Sequence, residues 1–115
     1  MTEQSDWATQ LSAAIQSQFG ARPRTVELYS VRAVSPNVVE IIHSDPGGRG
    51  VRGIRIDRTS VLSARERISD SSIVELAFDL VYIGMEEPKP EEDFLPPDLD
   101  GVTWLRLARW LDENS

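Results

Sequence analysis

Between Thr25 and Ser44 the chain is rich in β-branched and aromatic residues, from Val26, Tyr29 and Val31 through Val38, Val39, Ile41 and Ile42, with one break at Ser35-Pro36-Asn37. Such a run specifies a β-hairpin. Proline fixes a negative φ, which disfavours a two-residue primed turn, so a three-residue loop with Asn37 left-handed is expected. That register sets Val31 opposite Ile41, Ala33 opposite Val39 and Tyr29 opposite His43 on one face, and Arg32 opposite Glu40 on the other. Apolar pairs and a charge pair emerge together from one alignment, as a half-buried sheet requires.

The flanking segments complete a layer around this hairpin. Trp7, Leu11, Ala14, Ile15 and Phe19 fall on one helical face, with Gly20 and Pro23 as stop signals. After the turn cluster Asp45-Pro46-Gly47-Gly48-Arg49-Gly50, Val51 to Asp57 reads as a third, antiparallel strand with Ile54 and Ile56 on one face, Arg55 and Asp57 on the other, and Gly53 as a candidate bulge. Thr59 to Ile68 suits a short helix. Ser72 to Met85 fits either period, but Ser72 and Glu75 form a capping box, and Glu75, Asp79, Tyr82 and Glu86 share a helical stripe; helix is favoured.

Pro88 to Pro97 is acidic and proline-rich and is expected to be an extended connector rather than a packed element. Gly101 to Asn114 then suits a closing helix with Trp104, Leu107, Ala108 and Leu111 inward, Trp110 at the edge of that face, and Asp98 or Asp100 as its cap. The expected fold is therefore α+β: an N-terminal helix, a three-stranded antiparallel meander, then helices packed on one sheet face. Residues 1–115 form a single domain, with an acidic connector at 88–100 inside it. The open sheet edge is a candidate homodimer contact, since an uncovered edge invites pairing.

Composition narrows the function classes. With 115 residues and no cysteine, stability must come from a buried core, and thiolate catalysis, disulfides and cysteine-held metals are excluded. The start Thr2-Glu3-Gln4-Ser5-Asp6 lacks a basic, apolar leader, and no apolar run reaches the roughly 18 residues of a membrane span. The expectation is a cytoplasmic protein with no membrane partner and no cofactor.

Motifs for chemistry are thin. Gly47-Gly48-Arg49-Gly50 lacks the lysine and Ser/Thr of a phosphate loop. Asp98-Leu99-Asp100-Gly101 lacks the glycine position and closing glutamate of a calcium loop, so no metal site is assigned. His43 beside Ser44 and Asp45 has triad residue types, but strand neighbours face opposite ways. A small-molecule or hydrolytic pocket of His43, Tyr29 and Glu40 would need Glu40 to change faces. No enzyme is expected.

The charge layout carries more. Net charge is −7, and eleven of the twelve cations are arginine. Arg49, Arg52, Arg55, Arg58, Arg65 and Arg67 form a basic band, whereas Glu86 to Asp100 holds seven acids against Lys89. The leading expectation is a non-enzymatic protein-interaction domain, adaptor-, chaperone- or immunity-like, in which Phe94, Leu95 and Trp110 flanked by Glu91, Glu92 and Asp93 hold a basic protein partner. The alternative is nucleic-acid binding through Arg49, Arg52, Arg55 and Arg58. The lack of interleaved aromatics disfavours it.

Overall fold

The computed structural model describes residues 6–19, 26–48, 50–68, 72–87, 89–107 and 110. Its elements follow the alternation of apolar residues. Helix α1 (Trp7–Phe19) starts where the Asp6 carboxylate accepts the Thr9 N–H at 2.8 Å, and it buries Trp7, Leu11, Ile15 and Phe19. Gln10, Ser17 and Gln18 lie exposed on its other side. The stop signals Gly20 and Pro23 fall outside the described residues.

Strands β1 (Leu28–Ser35), β2 (Val38–Ser44) and β3 (Val51–Asp57) form the antiparallel meander. Val31 pairs with Ile41, Arg32 with Glu40 and Ala33 with Val39, as the hairpin pattern requires. Two details differ. Leu28, not Tyr29, stands opposite His43, because a register shift at Tyr29 displaces one residue and leaves Tyr29 54% exposed. Ser35 pairs with Val38, so the loop has two residues, the extra residue sits at Val34 instead, and Asn37 does not adopt a positive φ. The loop is held from outside: Ala8 N–H donates to Pro36 O at 3.1 Å and Arg58 N–H to Asn37 O at 2.9 Å. Tertiary bonds thus replace the left-handed residue that an isolated hairpin would use.

Helix α2 (Arg58–Ile68) begins at Asp57, whose carboxylate accepts from Ser60 N at 3.0 Å and Ser60 Oγ at 2.7 Å. Helix α3 (Ile73–Glu86) resolves the ambiguous segment as a helix, with Ser72 Oγ accepting Glu75 N–H at 3.1 Å. Its C-terminus is closed by Lys89, whose ammonium donates to Gly84 O and, at 2.8 Å, to Glu87 O.

The chain after α3 departs from expectation. Glu91–Asp93 makes a 3-10 turn, and Val102–Trp104 is strand β4, parallel to β3, giving the order β1-β2-β3-β4. The closing helix therefore cannot begin at Gly101. Leu107 and Trp110 are helical, Trp110 N donating to Arg106 O at 3.0 Å, whereas Ala108, Arg109 and Leu111 to Asn114 lie outside the described residues. Nor is the acidic segment a loose connector. Leu95 N donates to Trp104 O at 2.8 Å, Asp98 N to Val102 O at 2.9 Å, and Phe94 bridges Leu105. Residues 94–98 thereby cover the outer edge of β4.

Val39, Ile41, Ile54 and Ile56 share one sheet face and join Leu11, Ile15, Phe19, Val61, Phe78, Val81 and Met85 in one buried cluster. The opposite face carries Arg32, Glu40, Ile42, Arg55, Val102 and Trp104, and among the described residues no helix packs on it. There the Trp104 ring lies flat across Gly53: a Cβ at position 53 would stand 2.6 Å from Trp104 Cε3. The glycine is thus a close-approach site and not a bulge, since β2 and β3 pair without a register shift. Gly53→Ala is expected to destabilise the domain by about 1–3 kcal/mol through overpacking and to shift indole emission as Trp104 is displaced. Urea unfolding followed by fluorescence measures both.

Candidate functional site

The two charged zones meet inside the molecule. Arg52, on the helix-facing side of β3, is 2% exposed; its Nε donates to Asp45 Oδ1 at 2.9 Å, Nη1 to Thr103 Oγ1 at 2.7 Å and Nη2 to Glu91 Oε1 at 2.8 Å. Its guanidinium carbon stands 4.1 Å from the Phe94 ring centroid. Asp93 and Asp45 are buried, and Lys89 lies 5.5 Å from the Trp110 ring, itself 2% exposed. His43 is buried beside this cluster and donates from Nδ1 to Ser44 O at 2.7 Å. Burial pushes its pKa down to about 4, reinforced by the positive charges of Lys89 and Arg52 and opposed by the Ser44 bond and Asp45. Burial likewise lowers Lys89.

This network redistributes the residues marked out by the sequence. Of the acidic group, Glu91 is tied to Arg52, Phe94 stacks on the same guanidinium, and Asp93 and Trp110 are interior. Leu95, 47% exposed, and Glu92 stay at the surface. The basic band is split: Arg52 faces the helices, Arg55 faces the open side of the sheet 3.7 Å from Glu40, Arg58 is exposed at the start of α2, and Arg49 lies outside the described residues. His43, Tyr29 and Glu40 do not converge, since Glu40 projects from the opposite face to His43 and Leu28 occupies the place across from His43.

What remains as a site is the open sheet face. Trp104 forms a ridge there between two grooves. One, about 220 Å³, is lined by Ser30, Arg32, Glu40, Ile42, Asp98, Asp100, Val102 and Trp104. The other, about 460 Å³, is lined by Glu40, Arg55, Leu95, Trp104 and Leu105. The indole is anchored: its Nε1 donates to Asp98 Oδ2 at 2.8 Å, while Asp98 Oδ1 accepts from the Asp100 and Val102 N–H groups at 2.9 Å each. The Trp104 bond, with those to the backbone, holds the Asp98 carboxyl below its usual range and therefore ionised. Asp98 thus caps the turn entering β4, closed by Gly101 at φ 81°, and does not cap a helix. Trp7 and Trp110 are buried, so Trp104 is the indole that the fold leaves partly exposed.

Sequence reasoning placed Trp104 inside a helix and so missed this ridge. Two local signals pointed to it: a glycine within a strand, which marks close approach of another group, and the β-branched and aromatic run Val102-Thr103-Trp104 directly after Asp100-Gly101. Among the described residues no group of three His, Cys, Asp or Glu side chains is placed to hold a metal, and no helix is long and apolar enough to cross a membrane. In comparisons with family models, curated proteins and solved structures the chain matched none.

Proposed function

We propose that the protein is a non-enzymatic interaction domain that docks a basic protein partner on the open face of its sheet, centred on Trp104. The observation that carries this is a partly exposed indole, pinned flat by Gly53 and Asp98, between two grooves on a face where, among the described residues, no helix packs. A rigid aromatic anchor in a shallow groove is the type of residue that dominates protein interfaces, and it loses little conformational entropy on binding. Asp98, Asp100 and Glu40 around the ridge, with a net charge of −7, favour encounter with a cationic surface. Compared with the acidic segment itself, this surface keeps Leu95 and replaces Phe94 and Trp110 by Trp104.

The test is binding to an array of short peptides of basic, neutral and acidic composition carrying apolar residues. Basic members are expected to be retained, and Trp104→Ala is expected to weaken them roughly thirtyfold, equivalent to about 2 kcal/mol. Retention of acidic members in preference, or no effect of Trp104→Ala, would overturn the proposal.

A further inference from the structure

The two ends of the open face, either side of Trp104, carry complementary features. The parallel register sets Val51 level with Val102 and Gly53 level with Trp104, so Arg55 lies beyond the indole at one end. Leu95 belongs to that end, since its N–H bonds Trp104 O, and the larger groove there is lined by Leu95, Trp104 and Leu105. Asp98 N bonds Val102 O instead, which carries the Asp98–Gly101 turn to the opposite end. That turn presents Leu99, a fully exposed apolar side chain.

Each end also holds charge that the fold leaves available. Among the described residues the Asp100 carboxylate has no hydrogen-bond or ion-pair partner. Arg55, with a side chain 65% exposed, stands no closer than 3.7 Å to Glu40. Along the strands the order is therefore an apolar knob with an anion, the indole, then an apolar groove with a cation. A two-fold axis lying across the strands at Trp104 reverses this order and sets each end of one copy against the opposite end of another. A second copy thus supplies both counterparts at once.

We infer that two copies of this chain pack face to face on the open sheet about that axis. Leu99 of each enters the other's groove of Leu95, Trp104 and Leu105, and Asp100 of each pairs with Arg55 of the other. The face spans three strand spacings by a seven-residue strand, about 14 by 23 Å, which is a few hundred Å² against the roughly 800 Å² per partner of a standard interface. Two chains of net charge −7 also repel at long range. Self-association is therefore weak and concentration-dependent. A basic partner that docks on Trp104 has to displace the second copy, because both use the same indole.

Sedimentation velocity of the full chain from about 10 μM to 1 mM tests this, and the average mass is expected to climb from one chain toward two. Leu99, Asp100 and Arg55 are all exposed, so variants at these positions are expected to fold. Leu99→Asp is expected to weaken association at least roughly tenfold. Asp100→Arg and Arg55→Asp each place like charges together at both contacts, and each alone is expected to weaken it about tenfold. An equal mixture of those two variants should recover the association, because one then brings two cations and the other two anions to the contacts. A chain that stays monomeric, association indifferent to Leu99→Asp or to either reversal, or a mixture no tighter than its components would overturn the inference. None of these results bears on whether a basic peptide docks at Trp104.

Discussion

Arg52→Ala is expected to cost about 3–5 kcal/mol of stability. The reason is an asymmetry between the two legs of the Arg52 network. Asp45 is as buried as the guanidinium it faces, with side-chain exposures of 4% and 3%, so removing the arginine takes the ion-pair partner at 2.9 Å from a carboxylate held in the interior. Glu91, at the other leg, has a side chain 61% exposed, and an ion pair with one solvated partner contributes about 0–1 kcal/mol. Glu91→Ala should therefore change stability little, although it bonds the same guanidinium at a similar distance. A domain whose total stability is on the order of 5–15 kcal/mol keeps little reserve after Arg52→Ala. Urea denaturation of the two variants and of Arg52→Met with Asp45→Asn measures the difference. The double replacement removes both charges and should recover a substantial part of the loss.

A second large effect is expected from acid. His43 is held neutral, with its pKa lowered from 6.5 to about 4. The unfolded chain takes up its proton as pH falls through 6.5, while the folded protein takes it up only near 4, so the unfolded state binds more protons between these values. Stability associated with His43 is therefore complete above pH 6.5 and is lost progressively down to about 4, by about 3 kcal/mol in all. The charged groups facing the ring are Lys89 and Arg52, which lower its pKa, and Asp45, which raises it. Chemical denaturation at intervals from pH 7 to 4 should show this slope. His43→Gln, which removes the titrating ring, should flatten it even if its stability at pH 7 is lower. An unchanged slope in His43→Gln would show that the ring is accessible to protons in the folded state.

The parts of this fold legible in the sequence are those fixed by local chemistry. The faces of α1 and β2 follow from apolar spacing, the start of α3 from Ser72 and Glu75, and the register of β1 against β2 from three adjacent pairs that agree with one another. Where non-local partners intervene, local rules fail. Asn37 looked left-handed because the turn was considered alone, whereas α1 and α2 grip its carbonyl and that of Pro36. Residues 102–104 looked helical because Trp104, Leu107 and Leu111 are suitably spaced, and the force that makes them a strand is parallel pairing with β3, some fifty residues earlier.

The same distinction governs the site. The charge bands, and the strand alternation that separates Arg52 from Arg55, were visible in the sequence, but which carboxylate each would meet was not, because Glu91 reaches Arg52 from 39 residues further along the chain. Arg52 draws Glu91 and Phe94 onto the helix-facing side, and the chain that follows runs along β4 and sets Trp104 over Gly53. Closure of the acidic segment and exposure of the indole are two results of one arrangement.

The open face is tested most directly by the three indole N–H resonances during titration with a basic, apolar-containing peptide. The account predicts that Trp104, bonded to Asp98, shifts progressively while buried Trp7 and Trp110 stay in place. A shift of Trp110 with Trp104 unmoved would contradict it, placing the docking surface on the acidic segment instead of the sheet.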